Sequence, residues 1–250
     1  MSAALRTEGL SRHFGALKAV NDVSFALEAG ARHALIGPNG AGKTTFINLL
    51  AGSLPPSAGE IYLADGKITR VPQHRRVKRG ITRTFQITTL FPGLSVIEAV
   101  VLAICEREGR GGHFLRAVAT RHDEIAEARE LLASLRLDGE INAPTRQLAY
   151  GKQRLLEIAL ALATRPKVLL LDEPAAGIPA GESGEMMSVI SGLPKEVSIL
   201  LIEHDMNLVF RFAETITVMM SGEILTQGTP RAIAADPRVR EVYLGEAEHD

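Results

Sequence analysis

Short, fully apolar runs alternate along this chain with longer stretches of helical periodicity, a pattern that predicts an α/β fold. Ala34, Leu35 and Ile36 form the first such run. A helical pattern follows, with Phe46, Ile47, Leu49 and Leu50 on one face, and Gly52, Pro55 and Pro56 supply its stop. The segment 60–63 predicts a short strand entering a turn at Asp65 and Gly66. From Ser95 to about Arg165 the period is helical. Ser95 and Glu98 make a capping box, which opens an apolar helix running through Ala103. The charged, glycine-rich stretch 106–112 predicts a loop. The next helix spans 122–135, with Ile125, Ala128, Leu131 and Leu132 on one face. Another starts near Gly151 and carries the stripe Leu155, Leu156, Ile158, Ala159 and Leu162. Strand pattern then returns at 168–171, 199–202 and 216–219, and continuous apolar strands of this length imply a parallel sheet covered on both faces. Ser221 and Gly222 predict a tight turn into Ile224 and Leu225, closing a hairpin.

The first strand and helix enclose Gly37, Pro38, Asn39, Gly40, Ala41, Gly42, Lys43, Thr44 and Thr45. Strand, glycine-rich loop and helix is the context a phosphate-binding loop requires. The three glycines let successive N–H groups turn inward toward phosphate oxygens. Lys43 is then placed to reach the β- and γ-phosphates of a nucleoside triphosphate, and the Thr44 hydroxyl to ligate Mg²⁺. Asp172 and Glu173 end the apolar run at 168–171, on the edge of an open α/β sheet where ligands gather. They suit a division of labour in which Asp172 holds Mg²⁺ through water and Glu173 acts as general base on the attacking water. His204 ends the following strand, where an imidazole can hydrogen-bond the γ-phosphate. Gln86 lies where strand pattern gives way to helical pattern, and its amide can touch Mg²⁺ or the attacking water. The other histidines form no ligand-spaced cluster with cysteine, so no transition-metal site is assigned.

Composition narrows the setting. The 250 residues are 46% hydrophobic and carry a net charge of −1, which gives no global pull toward nucleic acid or an anionic membrane. The basic run of Arg70, His74, Arg75, Arg76, Lys78, Arg79 and Arg83 is expected to be a solvated loop and helix face. The single cysteine, Cys105, rules out an internal disulfide and fits a reducing compartment. Residues 1–12 lack the apolar core of a signal peptide, and no apolar run is long enough to span a bilayer. The expectation is a cytosolic protein whose membrane connection goes through a partner.

Taken together these residues resemble the ATP-binding cassette ATPases of ABC transporters, and the resemblance spans essentially the whole chain. Its most specific element is Leu148, Ala149, Tyr150, Gly151, Lys152, Gln153 and Arg154, which is similar to the family signature. The resemblance implies a P-loop NTPase (RecA-like) core with a small antiparallel β subdomain at 1–86 and 166–250. A helical signature subdomain is implied at 87–165. It also implies Mg²⁺-dependent ATP hydrolysis, with Gln86 as the Q-loop, Asp172 and Glu173 as the Walker B pair, and His204 as the switch histidine. Phe14 takes the place of the adenine-stacking aromatic, the alternative being a core phenylalanine on an early strand. A head-to-tail dimer is implied, in which Ala149 and Gly151 of one subunit face the ATP on the other's phosphate loop.

Phe14 with Gly15, Arg83 to Gln86, Leu90 to Leu94, Glu173 to Gly177, Ile202 to Met206 and the tail 237–245 look like the branched-chain amino acid importer ATPases, of the LivG type. Urea and aromatic-acid importers share these traits, as does the lipopolysaccharide-export ATPase to a lesser degree. Non-transport cassette proteins are the rival class. The implied partners are permease subunits and, indirectly, a substrate-binding protein, with the chain peripheral on the inner face of the cell membrane. Ile87, Leu90, Phe91 and Leu94 offer either a permease contact or subdomain core. Three departures from the family pattern, Ala149, Lys152 and Pro179, bear on how this subunit completes its partner's site. They favour a different ATPase chain over a second copy.

Overall fold

The structure, a computed structural model, describes residues 3–84, 93–110 and 121–244. Its first part runs β1 (Ala3–Phe14), β2 (Leu17–Glu28), β3 (Arg32–Ile36), α1 (Lys43–Ala51), β4 (Ala58–Leu63), β5 (Gly66–Lys67), α2 (Gln73–Arg79) and β6 (Ile81–Arg83). Three helices follow, α3 (Val96–Arg107), α4 (His122–Ser134) and α5 (Tyr150–Ala163). The last part runs β7 (Val168–Asp172), α6 (Ala180–Ser191), β8 (Ser198–Ile202), α7 (Met206–Phe212), β9 (Thr215–Met220), β10 (Glu223–Gly228), α8 (Pro230–Ala235) and α9 (Pro237–Leu244).

The larger sheet has the order β10-β9-β3-β8-β7-β6. Strands β9, β3, β8, β7 and β6 are parallel, and β10 returns antiparallel on β9. The predicted core strands and the Ser221–Gly222 hairpin are therefore present. Alternate residues of β7 and β8 enter different cores. Leu169, Leu171, Ile199 and Leu201 pack with α3 to α7, whereas Val168, Leu170, Leu200 and Ile202 pack with α1 and the smaller sheet. That double burial is why these strands are continuously apolar. Each buried leucine or isoleucine contributes about 1.5–3 kcal/mol.

The smaller sheet, β2-β1-β4-β5, is antiparallel. Its two long strands were not among the predicted elements. Leu5, Thr7 and Leu10 of β1 are buried, as are Val20, Val23, Phe25 and Leu27 of β2. The inward phase of each strand slips once, at a register shift near Gly9 (φ 56°) and Asp22 (φ 52°). A period of two broken in mid-strand leaves no clean alternation to read.

The expected loop from Glu106 also begins later. α3 continues through Arg107, whose guanidinium binds Glu127 and the Ala163 carbonyl. The capping box is formed as predicted, with the Ser95 amide donating to Glu98 Oε2 at 2.8 Å and the Glu98 amide to Ser95 Oγ at 3.5 Å.

The basic run is not all solvated. Arg76 is 1% exposed and its guanidinium caps the C-terminus of α1, donating to the carbonyls of Leu49, Leu50, Thr69 and Val71. Burial lowers its pKa to about 10. Arg83 is also withdrawn from water, for a reason that belongs to the candidate site.

Candidate nucleotide site

The register of the parallel strands sets the stage. Leu35 pairs with Ile202, and Ile202 with Asp172, so β3, β8 and β7 end on one line across the sheet. The segments leaving these ends are the glycine-rich loop, the Glu203–His204 turn and the Glu173 turn. Three stretches far apart in sequence thus meet at one carboxyl edge.

The loop's glycines do different work. A Cβ at Gly37 would come within 2.2 Å of the Met219 carbonyl oxygen, and one at Gly42 within 2.3 Å of the Ala19 carbonyl oxygen. Both are therefore required by close packing against β9 and β2. Gly40 adopts φ 77° and faces open space, so only its backbone conformation demands glycine. The Ala41 carbonyl accepts from the Gly222 amide at 3.0 Å, and the Gly222 carbonyl accepts from the Asn21 amide at 2.8 Å. Gly42 caps α1 without a side-chain bond, and the first turn carries no acid. The positive end of α1 and its leading amides thus favour an anion lying across the loop. Pro38, Asn39, Gly40, Thr44 and Thr45 are partly or fully exposed around this cradle. Lys43 Nζ lies along it, donating to the carbonyls of Gly37 at 2.6 Å and Pro38 at 2.9 Å.

Asp172 is 6% exposed, and its Oδ2 accepts from Arg83 Nη2 at 2.6 Å. Arg83 Nη1 reaches Asn48 Oδ1 on α1 at 2.5 Å. This bridge was missed in the sequence, although Arg83 stands three residues before Gln86. Glu173 follows with φ 47°. His204 is exposed at the end of β8, its side chain 68% accessible. Asp205, directly after it, caps α7 through the Asn207 amide at 2.8 Å and so fixes where the strand stops. Phe14 is 46% exposed at the tip of the β1–β2 hairpin, which removes the core alternative, and Arg12 stacks under its ring at 4.7 Å. Gln86, Ile87, Leu90 and Phe91 lie outside the described residues.

The signature segment opens α5. Ala149 is its N-cap and makes no side-chain capping bond. Lys152 is not an unopposed cation at this helix start, because Glu140 forms an ion pair with it. Tyr150 donates to the Ala176 carbonyl at 3.3 Å and accepts from Arg154 at 2.7 Å, tying the segment to the turn after Glu173.

A family model described as ABC transporter matches residues 20–176, and one described as branched-chain amino acid ATP-binding cassette transporter matches residues 223–249. The chain belongs to the ABC transporter ATP-binding cassette family. It is accordingly an ATPase subunit of the kind that hydrolyses ATP to power transport. The high-affinity branched-chain amino acid transport ATP-binding protein BraF of Pseudomonas aeruginosa is 39% identical to it, over 97% of this chain and 98% of the relative. LivG of Escherichia coli K12, of the same description, is 40% identical over 97% and 98%. A nucleotide-free ATP-binding cassette from an ABC transporter superposes with a TM-score of 0.82 at 30% identity, covering 97% of this chain and 99% of the other. The ADP conformation of the cassette MJ1267 gives 0.83 at 30% identity, over 98% and 99%. These likenesses make the P-loop core with its antiparallel sheet the cassette fold, and the chain a nucleotide-binding one. Among the described residues no helix is long and apolar enough to cross a membrane.

Proposed function

We propose that this chain is the ATP-hydrolysing subunit of an importer for branched-chain amino acids or related small polar solutes. The whole-length identity of 39–40% to BraF and LivG carries this reading, with the C-terminal match at 223–249 in support. The cradle at 37–45 holds the triphosphate, and Lys43 exchanges two loop carbonyls for phosphate oxygens. Phe14 offers the free face of its ring to adenine, Arg12 occupying the other.

Mg²⁺ suits the donors available. The Thr44 hydroxyl is a hard oxygen ligand, the Asp172 carboxylate held by Arg83 would take the ion through water, and Gln86 adds a further oxygen as read from the sequence. Bound there, the ion supplies positive charge against the charge that develops on the phosphates. Glu173 takes a proton from the attacking water, and His204 donates to the γ-phosphate. The Ala149–Gly151 start of α5 presents its backbone amides to the nucleotide of a second cassette subunit. With no serine hydroxyl at Ala149 and no aspartate at Pro179, that partner is a different ATPase chain. The helices within 87–165 form the module that passes the cycle to the permease on the inner face of the membrane, with a substrate-binding protein delivering the solute.

Reconstitution with a permease pair, a second cassette and a leucine-binding protein in proteoliposomes tests this directly. ATP-dependent leucine uptake is expected, and its absence beside uptake of urea or an aromatic acid would refute the cargo. In the same system Glu173→Gln should slow hydrolysis by about 10²–10⁴-fold, the contribution of a general base, while ATP stays bound. Undiminished phosphate release would remove Glu173 from that role.

A further inference from the structure

Glu203 is a buried acid that the proposed chemistry leaves unused. It follows the last residue of β8, is 1% exposed, and interrupts an otherwise apolar strand end. Burial pushes its carboxyl pKa up, with the amides of Ala175 and His204 pulling the other way. An acid in such a place is costly compared with an apolar residue unless its oxygens are well used.

Both oxygens are used, and by the two turns that flank the candidate site. Oε1 accepts from the Ala175 amide at 2.9 Å, and Oε2 from the His204 amide at 3.2 Å. The His204 ring lies close as well, with Nδ1 at 3.9 Å from Oε2. The Glu173 turn needs such support. A non-glycine residue at φ 47° carries about 1–2 kcal/mol of strain and persists only where its surroundings over-determine it. Glu173 itself is held by its amide on the Ile202 carbonyl at 3.0 Å. Pro174 has no N–H, so the Ala175 amide is the next donor in the turn, and Glu203 takes it.

We propose that Glu203 is a positioning residue that clamps the Glu173 turn to the His204 strand end, fixing the spacing between general base and histidine. The inference rests on the reading of Glu173 as base. One planar carboxylate spans both turns, so neither can shift without breaking a charge-assisted hydrogen bond.

The test compares Glu203→Ala, Glu203→Gln and Glu173→Gln in the assembled ATPase. Single-turnover hydrolysis, affinity for a fluorescent ATP analogue and thermal midpoint are read together. Glu203→Ala should lose roughly tenfold or more in rate, as displaced catalytic geometry does, while affinity stays within about twofold, the mark of an effect on the reaction rather than on binding. Glu203→Gln keeps an acceptor for the Ala175 amide and should recover part of that rate; it decides the matter if the alanine variant fails to fold. Normal turnover in both Glu203 variants beside a dead Glu173→Gln overturns the clamp alone. Wild-type turnover in Glu173→Gln overturns base and clamp together. A fall of rate, affinity and midpoint in parallel assigns Glu203 to packing and also overturns the clamp.

Discussion

At the scale of single residues, buried charges hold the candidate site and were the hardest to read. Nothing in the sequence separates Arg76 and Arg83 from the exposed cations around them. Their role appears only when α1, β6 and β7 are brought together. The positions of the candidate residues were legible because loop, acid pair and histidine each follow an apolar strand. Glu203 was hidden by its neighbour, since an acid beside a histidine in a turn looks solvated. The bridge from Arg83 to Asp172 and Asn48 yields a prediction. Arg83→Met leaves a carboxylate buried without its cation, at a cost of about 3–5 kcal/mol, so the thermal midpoint should fall by roughly 10 °C. Adding Asp172→Asn should restore much of that loss. Calorimetry on the two variants checks it, and additive losses would show that the pair is not coupled.

At the scale of elements, strands and helices were readable in proportion to how regular their burial is. β7 and β8 are apolar on both faces, and α5 buries Leu155, Leu156, Ile158 and Ala159 of its predicted stripe while Leu162 stays half-buried. β1 and β2 were not, because each slips phase once at a bulge. The loop glycines show how a motif conceals distinct constraints. Gly42→Ala drives a Cβ into the Ala19 carbonyl at φ 99°, and should lower both nucleotide affinity and thermal midpoint. Gly40→Ala meets no atom and should keep the pairing of α1 with β2, costing about 1–2 kcal/mol through its left-handed backbone alone. Titration with a fluorescent nucleotide alongside thermal unfolding separates the two cases. Equal losses would mean that packing is not what Gly42 serves.

At the scale of the whole molecule, stability should depend on pH through one buried imidazole. His33 is 2% exposed, bonded at Nε2 to Thr217 Oγ1 at 2.8 Å and edge-on to Phe25. Burial lowers its pKa from 6.5 to about 4. The unfolded chain therefore binds this proton more readily, and the stability present above pH 6.5 erodes as pH falls toward 4, by about 3 kcal/mol. Unfolding midpoints measured across that window should drop for the wild type and flatten in His33→Gln. An equal slope in both would acquit this histidine. The family was legible because motifs from both ends of the chain converge on one sheet edge, whereas in the proposed importer the cargo is read by other subunits. The link from Asn21 through Gly222 to Ala41 has a wider consequence. It makes the rear hairpin a splint for the glycine-rich loop, so a chain cut just before Gly222 would forfeit grip on nucleotide as well as its tail.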